Sequence, residues 1–142
     1  MFTSKALKLA IRRVSPSSSS ARSLSTSFNL NITDEQKAFQ ELARSFARDE
    51  MMPKSAEYDE SGKFPQEIFE QAWELGLVNT HIPVEQGGMG LHCLDGVIIS
   101  EEFAYACTGM STAMEANLLA AMPVIIGGSK EQKDNYLGRL LE

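Results

Sequence analysis

Between Phe103 and Ser129 the chain runs for 27 residues with a single charged side chain, Glu115. A stretch this apolar must leave water, either in a bilayer or against other protein. Gly109, Pro123, Gly127, Gly128 and several hydroxyls interrupt it, which speaks against a membrane span. It predicts instead a helix buried on all sides inside a protein.

The flanking sequence is helical in period. Thr33-Asp34-Glu35-Gln36 fits a capping box, a hydroxyl followed three residues later by an amide that can bond back. Phe39, Leu42, Ala43, Phe46 and Ala47 then recur at helical spacing, and Pro53 should end or kink that helix. Asp59 to Lys63 reads as a polar turn. Pro65 suits the first turn of a second helix, with Ile68, Phe69, Ala72, Trp73 and Leu75 facing a core and Gly76 stopping it. A loop with Pro83, Gly87, Gly88 and Gly90 leads to a third helix over Leu94–Cys107. Gly109 should interrupt, a fourth helix should run from about Met110 to Met122, and Pro123 should end it. Ser129-Lys130-Glu131-Gln132 repeats the capping box and opens a fifth helix, with Tyr136, Leu137, Leu140 and Leu141 on one face. No alternating strand pattern of useful length occurs. The expectation is an all-α bundle of about five helices over residues 30–142, with the chain stopping inside or just after the fifth. We read that uncapped end as a truncation.

Charge divides the chain. Residues 1–33 carry Lys5, Lys8, Arg12, Arg13 and Arg22 and no acid; the remaining eight basic residues face all 19 acids, a net of −11 over residues 34–142. An acidic body does not suit nucleic-acid binding, which depends on neutralising phosphate. The first 27 residues include nine serines, and Phe2, Ala6, Leu9 and Ala10 follow helical spacing. Basic, Ser-rich, acid-free and amphipathic describes a mitochondrial transit peptide over residues 1–27, with cleavage near Arg22. A secretory signal needs a longer apolar core, which Arg12 and Arg13 break. Cys93, Cys107, His81 and His92 lack zinc-ligand spacing, and two cysteines make no disulfide framework. All four read as structural.

Glu115 is the residue singled out for chemistry. Ser111, Glu115 and Leu119 are four apart and share a helix face, with Thr112 beside it. Two readings are open: a mostly apolar pocket with a carboxyl in its wall, or a core helix whose one carboxylate is paired. Gln86-Gly87-Gly88-Met89-Gly90 is not a phosphate cradle by spacing and reads as a tight turn. Glu101 and Glu102 point about 100° apart on a helix and read as helix surface.

Several runs resemble the N-terminal domain of acyl-CoA dehydrogenases: Ala72-Trp73-Glu74-Leu75-Gly76-Leu77, His81-Ile82-Pro83, Gly87-Gly88-Met89-Gly90-Leu91, Ile99 to Tyr105, and Glu131 to Leu137. Glu57-Tyr58-Asp59 and Asn79 to Pro83 look most like the medium-chain mitochondrial member. The resemblance covers about residues 30–142. It implies an FAD-dependent oxidation of the Cα–Cβ bond of a fatty acyl-CoA in β-oxidation in the mitochondrial matrix. It further implies electron-transferring flavoprotein as acceptor and a homo-oligomer, a tetramer, when complete, with neither nucleic acid nor a membrane span involved. It places Glu115, Leu119, Ser111 and Thr112 at the closed end of the acyl pocket. Ser111 stands where the medium-chain member has glutamine, a departure that bears on chain length. The family's flavin segment and catalytic glutamate belong to a middle β domain and a C-terminal bundle that have no counterpart in these residues. No catalytic, FAD-binding or metal-binding residue is therefore assigned, and apolar faces of the third to fifth helices are expected to lie exposed. A stand-alone, non-catalytic module binding acyl chains or protein is the competing reading, with a purely structural domain as a third.

Fusing residues 1–33 to a fluorescent protein should deliver it to mitochondria. Diffuse cytosolic fluorescence is the result that contradicts the transit-peptide reading.

Overall fold

The computed structural model describes residues 31–141; the predicted transit peptide lies outside them. Six α-helices and short 3-10 or π turns account for the architecture, with no strand among the described residues. The helices are α1 Asp34–Phe46, α2 Ser55–Ser61, α3 Gln66–Glu74, α4 Cys93–Ala106, α5 Thr108–Gly127 and α6 Lys130–Leu137.

Both predicted capping boxes form. The Thr33 hydroxyl accepts from the Gln36 amide at 3.1 Å, and the Gln36 side chain accepts from the Thr33 N–H at 2.9 Å. Ser129 and Gln132 make the same exchange at 3.2 and 2.9 Å. Each box satisfies two amides that a helix start leaves without a partner.

Several boundaries differ from the sequence reading. The regular α-helix ends at Phe46, ahead of Pro53, but the helical path does not stop there. The helical path passes through a π turn at Ala47–Met51 and a 3-10 turn at Met52–Lys54 into α2. Widening the last turn accommodates a residue without an N–H. Asp59, Glu60 and Ser61 are helical, and the turn waits for Gly62, which caps α2 at φ 64°. Gly109 sits within the first turn of α5; the break from α4 is made by Cys107 alone, extended at φ −163°. Pro123 lies inside α5, which continues to Gly127. At the end of α3 the reading holds: Gly76 takes φ 74°, its N–H reaches the Trp73 carbonyl, and the Leu77 N–H reaches Ala72. This 6→1 and 5→2 pair closes the helix and tucks Leu77 into the core.

The main core is formed by Phe39, Ala43, Phe46, Met51, Ile68, Ala72, Ile99, Phe103, Met110 and Met114, from α1, the π turn, α3, α4 and α5. A smaller one joins Ile82 and Ala121 to Leu137. Trp73 and Leu75, expected to face the core, are 38 and 37 % exposed, and Tyr136 is 55 % exposed. Periodicity sets which residues share a face, while neighbouring helices decide how wide the covered stripe is. In α3 only Ile68 and Ala72 are fully covered.

Helices α1 and α4 are tied at both ends. Gln36 donates to Asp95 at 2.8 Å, and Arg44 donates to both oxygens of Glu102 at 3.0 and 2.7 Å. The ties stand about 12 Å apart along α1 and about 10.5 Å along α4, from the 1.5 Å rise per residue. The two helices therefore run side by side in the same direction. Glu102, read from sequence as helix surface, is buried. Its fork-to-fork pairing with Arg44 makes that burial tolerable, while its neighbour Glu101 is exposed as expected.

Arg44→Ala should strand the Glu102 carboxylate and lower Tm clearly. Arg48→Ala, which removes a pair with Asp49 whose two side chains are both more than half exposed, should change it little. Equal losses would contradict the assignment of Arg44 as the partner that allows Glu102 to be buried.

Candidate functional site

A cavity of about 210 Å³ opens between α4, α5 and the loop that follows α3. Its apolar wall comes from Leu77, Val78, Ile99, Phe103, Met114 and Leu118, and its polar groups from residues including His81, Cys93, Ser100 and Glu115. Its lining is more apolar than polar.

Glu115 projects from the middle of α5, where it is the helix's only charge. Burial pushes its carboxyl pKa above the ordinary value, and the nearby His81 pulls weakly in the opposite direction. His81 is held by its Nδ1–H, which donates to the Leu91 carbonyl at 2.7 Å. A carbonyl only accepts, so Nδ1 carries the proton. The imidazole lies directly over Gly96 of α4, where an added Cβ would come within 2.3 Å of Nε2. Only glycine leaves room for the ring.

Of the four residues predicted to line an acyl pocket, Glu115 alone lines this cavity. Ser111 is buried one turn away. Thr112 is exposed, its hydroxyl donating to the Thr108 carbonyl at 3.0 Å, and Leu119 is 74 % exposed. Helix α5 is therefore not buried on all sides. By length and composition it is long and apolar enough to cross a membrane, yet it packs on α3, α4 and α6. Leu119, Met122 and Ile126 stay exposed, as do Leu94, Val97 and Tyr105 on α4, in keeping with the apolar faces expected to lie open.

The loop at Gln86–Gly90 is the tight turn that its spacing suggested. The amides of Gly87, Gly88 and Gly90 donate to Val84, Pro83 and Ile82, and Gly87 and Gly90 have φ of 89° and 63°. At Gly88 a Cβ would sit 2.0 Å from the Ile82 carbonyl oxygen. The amides of Gly87, Gly88 and Gly90 are thus spent within the turn and are not available to a phosphate.

Sequence reasoning read His81 as structural and did not single out Gly96. Gly96 did carry a signal, since an isolated glycine inside a helix costs about 1 kcal/mol relative to alanine and is kept for a reason such as packing. What approaches it could come only from the fold.

Residues 33–142 match the model of the acyl-CoA dehydrogenase N-terminal domain, and the chain belongs to the acyl-CoA dehydrogenase family. It is 41 % identical over 133 residues to a probable medium-chain specific acyl-CoA dehydrogenase of mitochondria from Caenorhabditis briggsae, covering 94 % of this chain and 32 % of that protein. Among solved structures, butyryl-CoA dehydrogenase from Megasphaera elsdenii superposes with a TM-score of 0.71 at 28 % identity, over 81 % of this chain and 31 % of that one. An acyl-CoA dehydrogenase complexed with FAD from Bacillus anthracis gives 0.67 at 29 %, over 78 % and 19 %. The chain thus spans about a third or less of each relative.

Because the folded state raises the Glu115 pKa, the carboxyl favours folding while protonated. That contribution is fully present below the ordinary carboxylate pKa and is lost as pH rises through the raised value. Glu115→Gln should leave Tm nearly unchanged near pH 3.5 and raise it by a few degrees near pH 7. An equal change at both pH values would contradict a desolvated carboxyl.

Proposed function

We propose that this chain contributes the closed end of the acyl pocket to an FAD-dependent acyl-CoA dehydrogenase, which carries out α,β-dehydrogenation of fatty acyl-CoA in mitochondrial β-oxidation in the matrix. Electrons would pass to electron-transferring flavoprotein, and the complete protein would be a homo-oligomer. The observation that carries the reading is the cavity beside α5 with Glu115 in its wall, in a domain of this family. The pocket residues proposed are Glu115, Ser111, Thr112 and Leu119. Glu115 borders the cavity, while Thr112 and Leu119 lie on the open side of α5.

The described residues do not themselves fit a flavin. The cavity is about 210 Å³, below the range of about 300–1,000 Å³ for sites that take a drug-sized ligand. The glycine turn has spent the amides of Gly87, Gly88 and Gly90 internally. The 142-residue chain should therefore purify colourless and reduce no electron acceptor when given acyl-CoA. Exposed Leu119, Met122 and Ile126 are what a domain built to pack on further protein presents. They support this reading over a free-standing module.

Two contributions would set chain length at Glu115. The side chain occupies volume, and it forces an apolar tail to strip water from a carboxyl. One methylene in such a pocket is worth about 10–200-fold in discrimination. In a complete enzyme carrying this domain, Glu115→Gly should move the kcat/KM optimum toward longer acyl-CoAs. Equal loss at every chain length would show a paired structural carboxylate and overturn the pocket reading.

A further inference from the structure

The cavity brings together two titratable side chains that sequence distance separates. His81 enters from the loop after α3, and Glu115 from α5. Cys93 of α4 is the one further titratable group in the lining, and no Lys, Arg or Asp borders it. Burial is the larger influence on the Glu115 carboxyl, and His81 is the charged partner that acts against it.

The imidazole is placed with unusual constraint for a loop side chain. Nδ1 is committed to the Leu91 carbonyl, so Nε2 is the nitrogen left to gain or lose a proton. The ring rests on the bare backbone of Gly96, and the loop is itself anchored, the Asn79 side chain donating to the Leu140 carbonyl at 2.8 Å. Three separate features, a backbone acceptor, a glycine seat and a loop tether, hold the ring against this cavity.

We propose that His81 and Glu115 form an electrostatic pair across the cavity, with His81 the positioning residue that, when protonated, offsets part of the burial that disfavours the ionised Glu115 carboxyl against the apolar wall of α4 and α5. The pair, rather than Glu115 alone, sets the polarity of this wall. An imidazolium facing the carboxylate offsets part of its desolvation. Removing it leaves the carboxyl more easily protonated and the wall more tolerant of hydrocarbon. The effect on acyl-chain length rests on the acyl-pocket reading; the pairing does not, and it can be measured on the 142-residue chain without any acyl ligand.

The test is an NMR titration of the full chain, following the Glu115 side-chain carboxyl by carbon-13 and the His81 ring by nitrogen-15. In the wild-type chain the His81 nitrogens should show an inflection at the Glu115 midpoint, and Glu115→Gln should abolish it. His81→Asn keeps an amide to donate to Leu91 and removes Nε2. It should raise the Glu115 midpoint by on the order of half a pH unit, the scale expected of charges facing across a partly wet cavity. Gly96→Ala retains both titrating groups and displaces the ring, so it should raise the midpoint in the same direction. His81 nitrogens indifferent to Glu115 in the wild-type chain would overturn the pairing, as would a Glu115 midpoint unmoved in a folded His81→Asn chain. A confirmed pair with no chain-length effect of His81→Asn in a complete enzyme would count against the acyl-pocket reading and leave the pair standing.

Discussion

The Glu102 carboxylate is the constraint on which the arrangement of the helices turns. It is 6 % exposed and would be too costly to desolvate alone. Arg44 reaches it with two donors, keeping its own guanidinium largely in solvent. That bond and the Gln36–Asp95 bond pin two helices in the same direction. Parallel neighbours cannot be joined by a short turn, so residues 47–92 must carry the chain back to the starting end. On that return path α2, α3 and the loop cross the bundle, and the loop delivers His81 against the first half of α4.

Helix α5 carries the consequence. One side, through Met110 and Met114, completes the main core; Ala121 joins the smaller one with Ile82 and Leu137. Glu115 lies at the margin between these covered faces and the open side marked by Leu119 and Ile126. A carboxyl at such a margin is neither fully solvated nor fully paired, so burial raises its pKa. That placement at the edge of an apolar cavity is the physical basis for the proposal that Glu115 limits chain length.

The legible parts of the fold are those governed by contacts within a few residues. Both capping boxes, the Gly76 stop and the inward-turned glycine loop depend on local hydrogen bonds whose partners lie three to eight residues apart. The misread parts share a different cause. Pro123 looks like a stop because it lacks an N–H, yet α5 runs on through it. Trp73, Leu75 and Tyr136 are apolar at helical spacing, but no neighbouring element covers them within these residues. Glu102 looked like surface because its partner lies 58 residues away.

The sequence by itself determined that this chain is helical, where two of its helices begin, which family it resembles and that Glu115 stands alone in an apolar stretch. Those properties are set by composition, period and nearest neighbours along the chain. Only the tertiary structure decided that Glu102 is buried, that α5 keeps an open face, and that His81, seated on Gly96, shares a cavity with Glu115. Each of these requires two segments far apart in sequence to meet. No local pattern records such a meeting, because the free energy that secures it comes from packing between elements rather than from the conformation of any one of them.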